Sequence, residues 1–226
     1  MDNFYVSNTP KLTCITADAD VHANMTAFSD GRLNEDCGTV YIPDENFEQA
    51  LIDLGIDVVG VLDHLILRSE ALAVFDLQLS NPIDDPVYGN PLIQPTTGKI
   101  ADITGIEAFV NLTKLGLGFS NITSVDLTFN KELDDLFLAD NLLTAIDISH
   151  NTLLTRFGVM RNPDIATLDV SHNLLLEELF IGGTAITSID VSLNTNLWKF
   201  WSRWGNLTGI DLSKNTNLKN VSLRGS

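Results

Sequence analysis

All three tryptophans of the 226-residue chain fall between Trp198 and Trp204, interleaved with Lys199 and Arg203. This places flat apolar rings beside two cations, a combination suited to non-covalent capture. Aromatic rings and guanidinium groups dominate the energetic centres of protein interfaces, and a flat indole also stacks on a sugar ring. If the segment is a strand, alternation sends Lys199, Trp201 and Arg203 to one face, with Trp198 and Trp204 at its borders. The competing reading has Trp198 and Trp204 filling turns, leaving only Trp201 exposed.

A second set of groups is periodic. Asp126, Asp147, Asp169, Asp190 and Asp211 are spaced 21 or 22 residues apart, each with a hydroxyl two positions on at Thr128, Ser149, Ser171, Ser192 and Ser213. Stacked in register, they would form a ladder in which hydroxyls donate to neighbouring carboxylates. Calcium is a weaker reading for the five carboxylates, because the ion takes about six to eight oxygens. An ice-binding surface is weaker still, since charge interrupts the hydroxyl rows. Paired carboxylates also serve glycoside hydrolysis, but a periodic ladder on a flat face offers no cleft. His22, His64, His150 and His172 are scattered, no nucleophile has a base at a recognisable spacing, and no glycine-rich phosphate loop follows a strand. No catalytic residue and no cofactor is expected.

Both sets sit in a repeat array. The phrases Ile146 to Asn151 (I-D-I-S-H-N), Leu168 to Asn173 (L-D-V-S-H-N), Ile189 to Asn194 (I-D-V-S-L-N) and Ile210 to Asn215 (I-D-L-S-K-N) restate one pattern. Between them runs a looser arch with apolar pairs Leu115/Leu117, Leu136/Leu138, Phe157/Val159, Leu179/Ile181 and Phe200/Ser202. Each pair flanks one outward position, so its side chains point inward and stack on neighbouring coils; stability is then largely a nearest-neighbour sum. Leu168, taken as a member of this core, should cost roughly 2–5 kcal/mol when cut to Ala. Asn130, Asn151, Asn173, Asn194 and Asn215, with Asn141 and Asn162 in the other arch, suit corners where an amide satisfies turn backbone groups.

The looser arch is where coils differ. Its central outward column reads Gly116, Phe137, Gly158, Phe180, Trp201, Ser222; its left column Lys114, Asp135, Arg156, Glu178, Lys199, Asn220; and its right column Gly118, Ala139, Met160, Gly182, Arg203, Arg224. Alternating signs on the left let neighbouring coils pair, and glycine beside Phe137 lets a ring lie over backbone. The residues left for ligand contact are Phe137, Phe180, Trp198, Lys199, Trp201, Arg203 and Trp204.

Toward the N-terminus the pattern changes. Pro43-Asp44-Glu45-Asn46 opens a helix near residues 44–54, with Phe47, Ala50, Leu51 and Leu54 at helical spacing up to Gly55. Residues 82–98 form a proline-rich loop. Cys14 and Cys37, the only cysteines, enclose a polar loop: in an extracellular protein they read as a disulfide clamping a solenoid end, in a cytosolic one as two thiols. Two are too few for zinc. Three regions are expected: 1–39, resembling the closing tail of a preceding repeat domain; 40–111, an N-terminal cap; and 112–226, about five coils open at the C-terminal end.

The formal charge is −17. A phosphate backbone would be repelled, so nucleic acid is not an expected partner. There are no basic clusters for anionic lipid and no apolar run of membrane-spanning length.

The phrases from Val40 to Leu51 and from Ile103 to Phe109, with the alternating L-x-x-L-x-L and L-D-V-S-x-N arches, resemble the secreted leucine-rich-repeat proteins of Bacteroidetes bacteria. The resemblance implies a mainly β, right-handed solenoid with strands on both sides, a short α-helical N-terminal cap and little other helix. It also implies an exported, extracellular or surface-attached protein involved in binding or adhesion. The expected partner is a protein engaged by the variable face, with extracellular polysaccharide and a pure spacer role as alternatives.

Overall fold

The computed structural model describes residues 38–79 and 98–223. Cys14, Cys37, Arg224, nearly all of segment 1–39 and residues 82–97 of the proline-rich loop lie outside the described residues. Val40–Ser226 is one compact unit.

The cap opens with β1 (Thr39–Tyr41), α1 (Glu45–Asp53), β2 (Leu65–Leu67) and α2 (Arg68–Leu72), with β1 paired to β2. Asp44 starts α1 as its N-cap. One carboxylate oxygen accepts the N–H groups of Asn46 and Phe47, and the other accepts those of Ala101 and Asp102 at 2.8 and 2.9 Å. The same side chain therefore caps the helix and fastens it to the approach of the array. Gly55, at φ 68°, takes the left-handed conformation that ends the helix. Phe47, Ala50 and Leu51 are buried, and the Phe47 ring lies 6.4 Å from that of Phe109.

Glu48 is buried within α1. Its Oε1 accepts the N–H groups of Asp63 and His64 at 2.8 and 2.7 Å. Burial pushes the carboxyl above its ordinary value, against the lowering effect of those hydrogen bonds. A carboxyl raised in the folded state stabilises the fold at low pH, and that contribution disappears as pH rises through the raised pKa. Glu48→Gln keeps an acceptor for both N–H groups but cannot ionise. Melting curves from about pH 4 upward should show wild type losing stability relative to the variant; parallel curves would remove Glu48 as the cause.

The array is a single parallel sheet of seven three-residue strands in sequential order: β3 (Asp76–Gln78), β4 (Lys114–Gly116), β5 (Asp135–Phe137), β6 (Arg156–Gly158), β7 (Glu178–Phe180), β8 (Lys199–Trp201) and β9 (Asn220–Ser222). Register is unbroken, so Leu77, Leu115, Leu136, Phe157, Leu179, Phe200 and Val221 form one column. From Leu77 to Phe200 this column is buried. The architecture is a mainly β, parallel-strand solenoid, and no helix among the described residues is long and apolar enough to cross a membrane.

Among the described residues the hydrogen-bonded ladder of the array runs along one side only, which corrects the expectation of strands on both sides. On the other side, the L-D-V-S-x-N phrases stack from coil to coil without paired strands among the described residues. Two side-chain devices hold them. Each Asp accepts the backbone N–H two residues ahead, closing a turn within its own coil. Each Asn is buried and donates its amide to the preceding coil: Asn173 Nδ2 reaches the carbonyls of Ile148 and Asn151 at 3.0 and 2.9 Å, and Asn194 those of Val170 and Asn173 at 3.0 and 2.8 Å. The first apolar residue of each phrase, Val125, Ile146, Leu168, Ile189 and Ile210, is partly buried and packs against the edge of the core. Leu168 is only partly buried while Val170 is fully so, which corrects the placement of Leu168 in the stacked core.

Candidate functional site

The strand sides that face away from the core carry the variable columns in register. The left column is an ion-pair series: Arg156 Nη1 lies 3.2 Å from Asp135 Oδ2, and Lys199 Nζ lies 3.1 Å from Glu178 Oε2. Burial raises the Asp135 carboxyl, with Arg156 opposing.

The central column is an aromatic row. The Phe137 ring lies over Gly158, where an added Cβ would meet its Cδ1 at 2.4 Å. Without that glycine the ring could not lie flat. Phe137 thereby reaches Phe180, centroids 5.7 Å apart, and Phe180 meets Trp201 edge-on at 5.5 Å. The Trp201 indole N–H donates to Asn220 Oδ1 at 3.0 Å. Lys199 Nζ sits 4.8 Å from the ring centroids of both Phe180 and Trp201 and 5.6 Å from that of Trp198. Ion pair and rings together spend this ammonium inside the protein.

The structure brings Phe137, Phe180, Trp198, Lys199, Trp201 and Arg203 into one strip but gives them different parts. Phe180 is 1% exposed and supports the strip from below. Phe137, Trp198 and Trp201 are half-buried, and Arg203 is exposed. Trp204 is 70% exposed. The reading in which Trp198 and Trp204 fill turns around an exposed Trp201 is therefore corrected, with Trp204 the open indole.

Trp204 stands at the corner after β8 with φ 54°, and Phe119, Asp140, Arg161 and Gly183 take the same left-handed conformation one coil apart. Inspection of the sequence alone does not single out this column, because only Gly183 announces it. It carries its own contacts: Arg161 binds Asp140 through two nitrogens and lies 5.7 Å over the Phe119 ring. Gly182 lets the next coil approach, since a Cβ there would lie 2.4 Å from the Arg203 carbonyl oxygen.

The Asp rows lie on the other side. Turn N–H and hydroxyl groups of the same coil hold Asp147, Asp169, Asp190 and Asp211 below the usual carboxylate range, and for Asp126 the Thr128 hydroxyl leads. The expected hydroxyl ladder between coils is thus replaced by turns closed within each coil. Among the described residues no three acidic, histidine or cysteine side chains gather where they could hold a metal ion.

Seen beside known structures, the coil geometry has clear counterparts. The functional domain of InlJ from Listeria monocytogenes, which includes a cysteine ladder, aligns with 80% of this chain at 26% identity and a TM-score of 0.56. The internalin C2 of the same organism aligns over 80% at 17% identity and a TM-score of 0.58. A leucine-rich-repeat protein of Leptospira interrogans aligns over 67% at 21% identity and a TM-score of 0.54. The fold is a leucine-rich-repeat solenoid. The chain spans 42% of the InlJ domain, 74% of internalin C2 and 42% of the Leptospira protein. No protein-family model matches the sequence, and no curated protein matches it.

Proposed function

We propose that this chain is a non-catalytic binding module of an exported bacterial surface or secreted protein, recognising a protein partner with the variable face of β3–β9. The observation that carries the reading is the exposed Arg203–Trp204 corner beside the aromatic row Phe137, Phe180 and Trp201. Trp and Arg in a flat, rigid surface are what binding hot spots are made of, and a face several coils long matches an extended epitope better than a small molecule. Likeness to the InlJ and internalin C2 structures supports the solenoid scaffold on which such a face is displayed, and the phrases resembling Bacteroidetes repeat proteins support binding and export to an extracellular or surface location.

Polysaccharide capture is the second reading, favoured by the 70% exposure of Trp204. Tryptophan fluorescence titrated with neutral and anionic polysaccharides tests it, because all three reporters lie in or beside the strip. A saturable shift lost in Trp204→Ala would make glycan capture the leading function. Under the protein reading no polysaccharide responds. A partner held by the wild-type surface should then bind about 30-fold more weakly to Trp204→Ala, equivalent to about 2 kcal/mol, with folding stability unchanged. A spacer role predicts no Trp204-dependent binding of either kind.

A further inference from the structure

Arg156, Arg161 and Lys199 each find a carboxylate one coil back, at Asp135, Asp140 and Glu178. Arg203 breaks this rule, since the residue one coil back is Gly182. It makes no ion pair among the described residues; its Nε donates to the Ser222 hydroxyl and its Cζ lies 5.6 Å over the Trp201 ring. Those two contacts fix the guanidinium plane and engage one nitrogen. Both Nη groups keep their donors, and the residue is exposed. Next to it in the chain stands the open indole of Trp204, in the left-handed corner conformation.

We propose that Arg203 and Trp204 form a carboxylate-binding subsite, taking an Asp or Glu side chain of a protein partner whose neighbouring apolar or aromatic residue packs on Trp204. This rests on the protein-partner reading above and names the chemistry of one contact within it. A guanidinium fork with its Nη edge open matches the two oxygens of a carboxylate. Backing by Trp201 and the bond to Ser222 pre-order the fork, so little rotamer freedom remains to be lost on binding. Charge selects the source of the carboxylate. A chain of net charge −17 repels a polyanion such as a polyuronate. A lone acidic side chain in a neutral or basic surface feels mainly Arg203, because charges beyond about 8 Å are screened at physiological ionic strength. Gly182 sets the corner in place: Gly182→Ala would push on the Arg203 backbone and disturb the subsite.

A peptide-display selection on the immobilised full chain, run in parallel on wild type, Arg203→Gln, Arg203→Lys and Trp204→Ala, tests the proposal. Wild type should enrich sequences with Asp or Glu next to an aromatic or aliphatic residue. Arg203→Gln should lose that enrichment, and Arg203→Lys should recover it only in part because an ammonium is not a fork. Exchanging Glu for Gln in an enriched synthetic peptide should weaken binding roughly 10- to 100-fold, as loss of hydrogen bonds to a charged group implies. Peptides captured through Trp204 without acidic enrichment would overturn the carboxylate subsite and leave the binding face standing. Absence of any Trp204-dependent capture overturns both. Displacement of captured peptides by oligogalacturonate, with no acidic residue enriched, would assign the corner to a sugar acid and overturn the proposal as well.

Discussion

Phe157→Ala should destabilise the array by about 3–5 kcal/mol. Phe157 is the middle residue of β6, fully buried, with Leu136 and Leu179 as its partners in register on either side. Removing the ring leaves a void between coils whose backbones are fixed by the ladder, so the site can collapse only partially. Leu168→Ala, in the same coil but at a partly exposed position, should cost only about 1–2 kcal/mol, in line with its smaller loss of buried surface. Urea unfolding followed by circular dichroism measures both. Equal costs for the two substitutions would contradict the inward assignment of the strand column. Hydrogen exchange should show the Phe157→Ala damage centred on β5–β7 with the α1 cap less affected, because solenoid stability is local.

Asn173→Ala should cost about 1–3 kcal/mol, although it deletes only a small polar group. Its amide donates to two carbonyls of the preceding coil, Ile148 and Asn151; each carbonyl keeps a backbone donor, from Asn151 and Leu154, so the loss is that of two net hydrogen bonds at about 0.5–1.5 kcal/mol each. Asn196→Ala is the control: its amide makes a 3.4 Å contact with the Leu174 carbonyl at the exposed rim, and its loss should stay within about 0.5 kcal/mol. Denaturant midpoints of the two variants, with unchanged m-values, decide the matter. If Asn173→Ala proved as mild as Asn196→Ala, the buried amide row would not be what joins the coils on that side.

The solenoid was legible because its signals are periodic. Phe157, Leu179 and Phe200 recur where alternation requires an inward side chain, and the buried Asn row marks each corner. The ion pairs of the left column and the Phe137 ring over Gly158 follow from the same register. What escaped the periodic reading depends on conformation within a coil. Leu168 is only partly buried beside the fully buried Val170, and no residue-type pattern reports that difference. Left-handed corners at Phe119, Arg161 and Trp204 are occupied by residue types that rarely adopt positive φ, so Trp204 was legible as a border of the face but not as its most open indole. Phe180 shares a column with Phe137 and Trp201, yet neighbouring rings and Lys199 cover it. Alternation predicts direction from the sheet, not what then lies on top.

That row of corners has a consequence for how such a surface changes over time. Phe119, Asp140, Arg161, Gly183 and Trp204 place an aromatic ring, an acid, a base, no side chain and an indole on the same backbone shape. The shape is imposed by the stacked coils rather than by the residue, even though a left-handed conformation costs a non-glycine residue roughly 1–2 kcal/mol. Phe119, Asp140 and Arg161 hold one another, and a Cβ at Gly183 would press on Arg161. The corner open to exchange without redesign of the fold is therefore Trp204, 70% exposed, and a library randomised there would sample new specificities on an unaltered scaffold. At that corner alone, recognition is separated from architecture, and mutation can search the one while leaving the other intact.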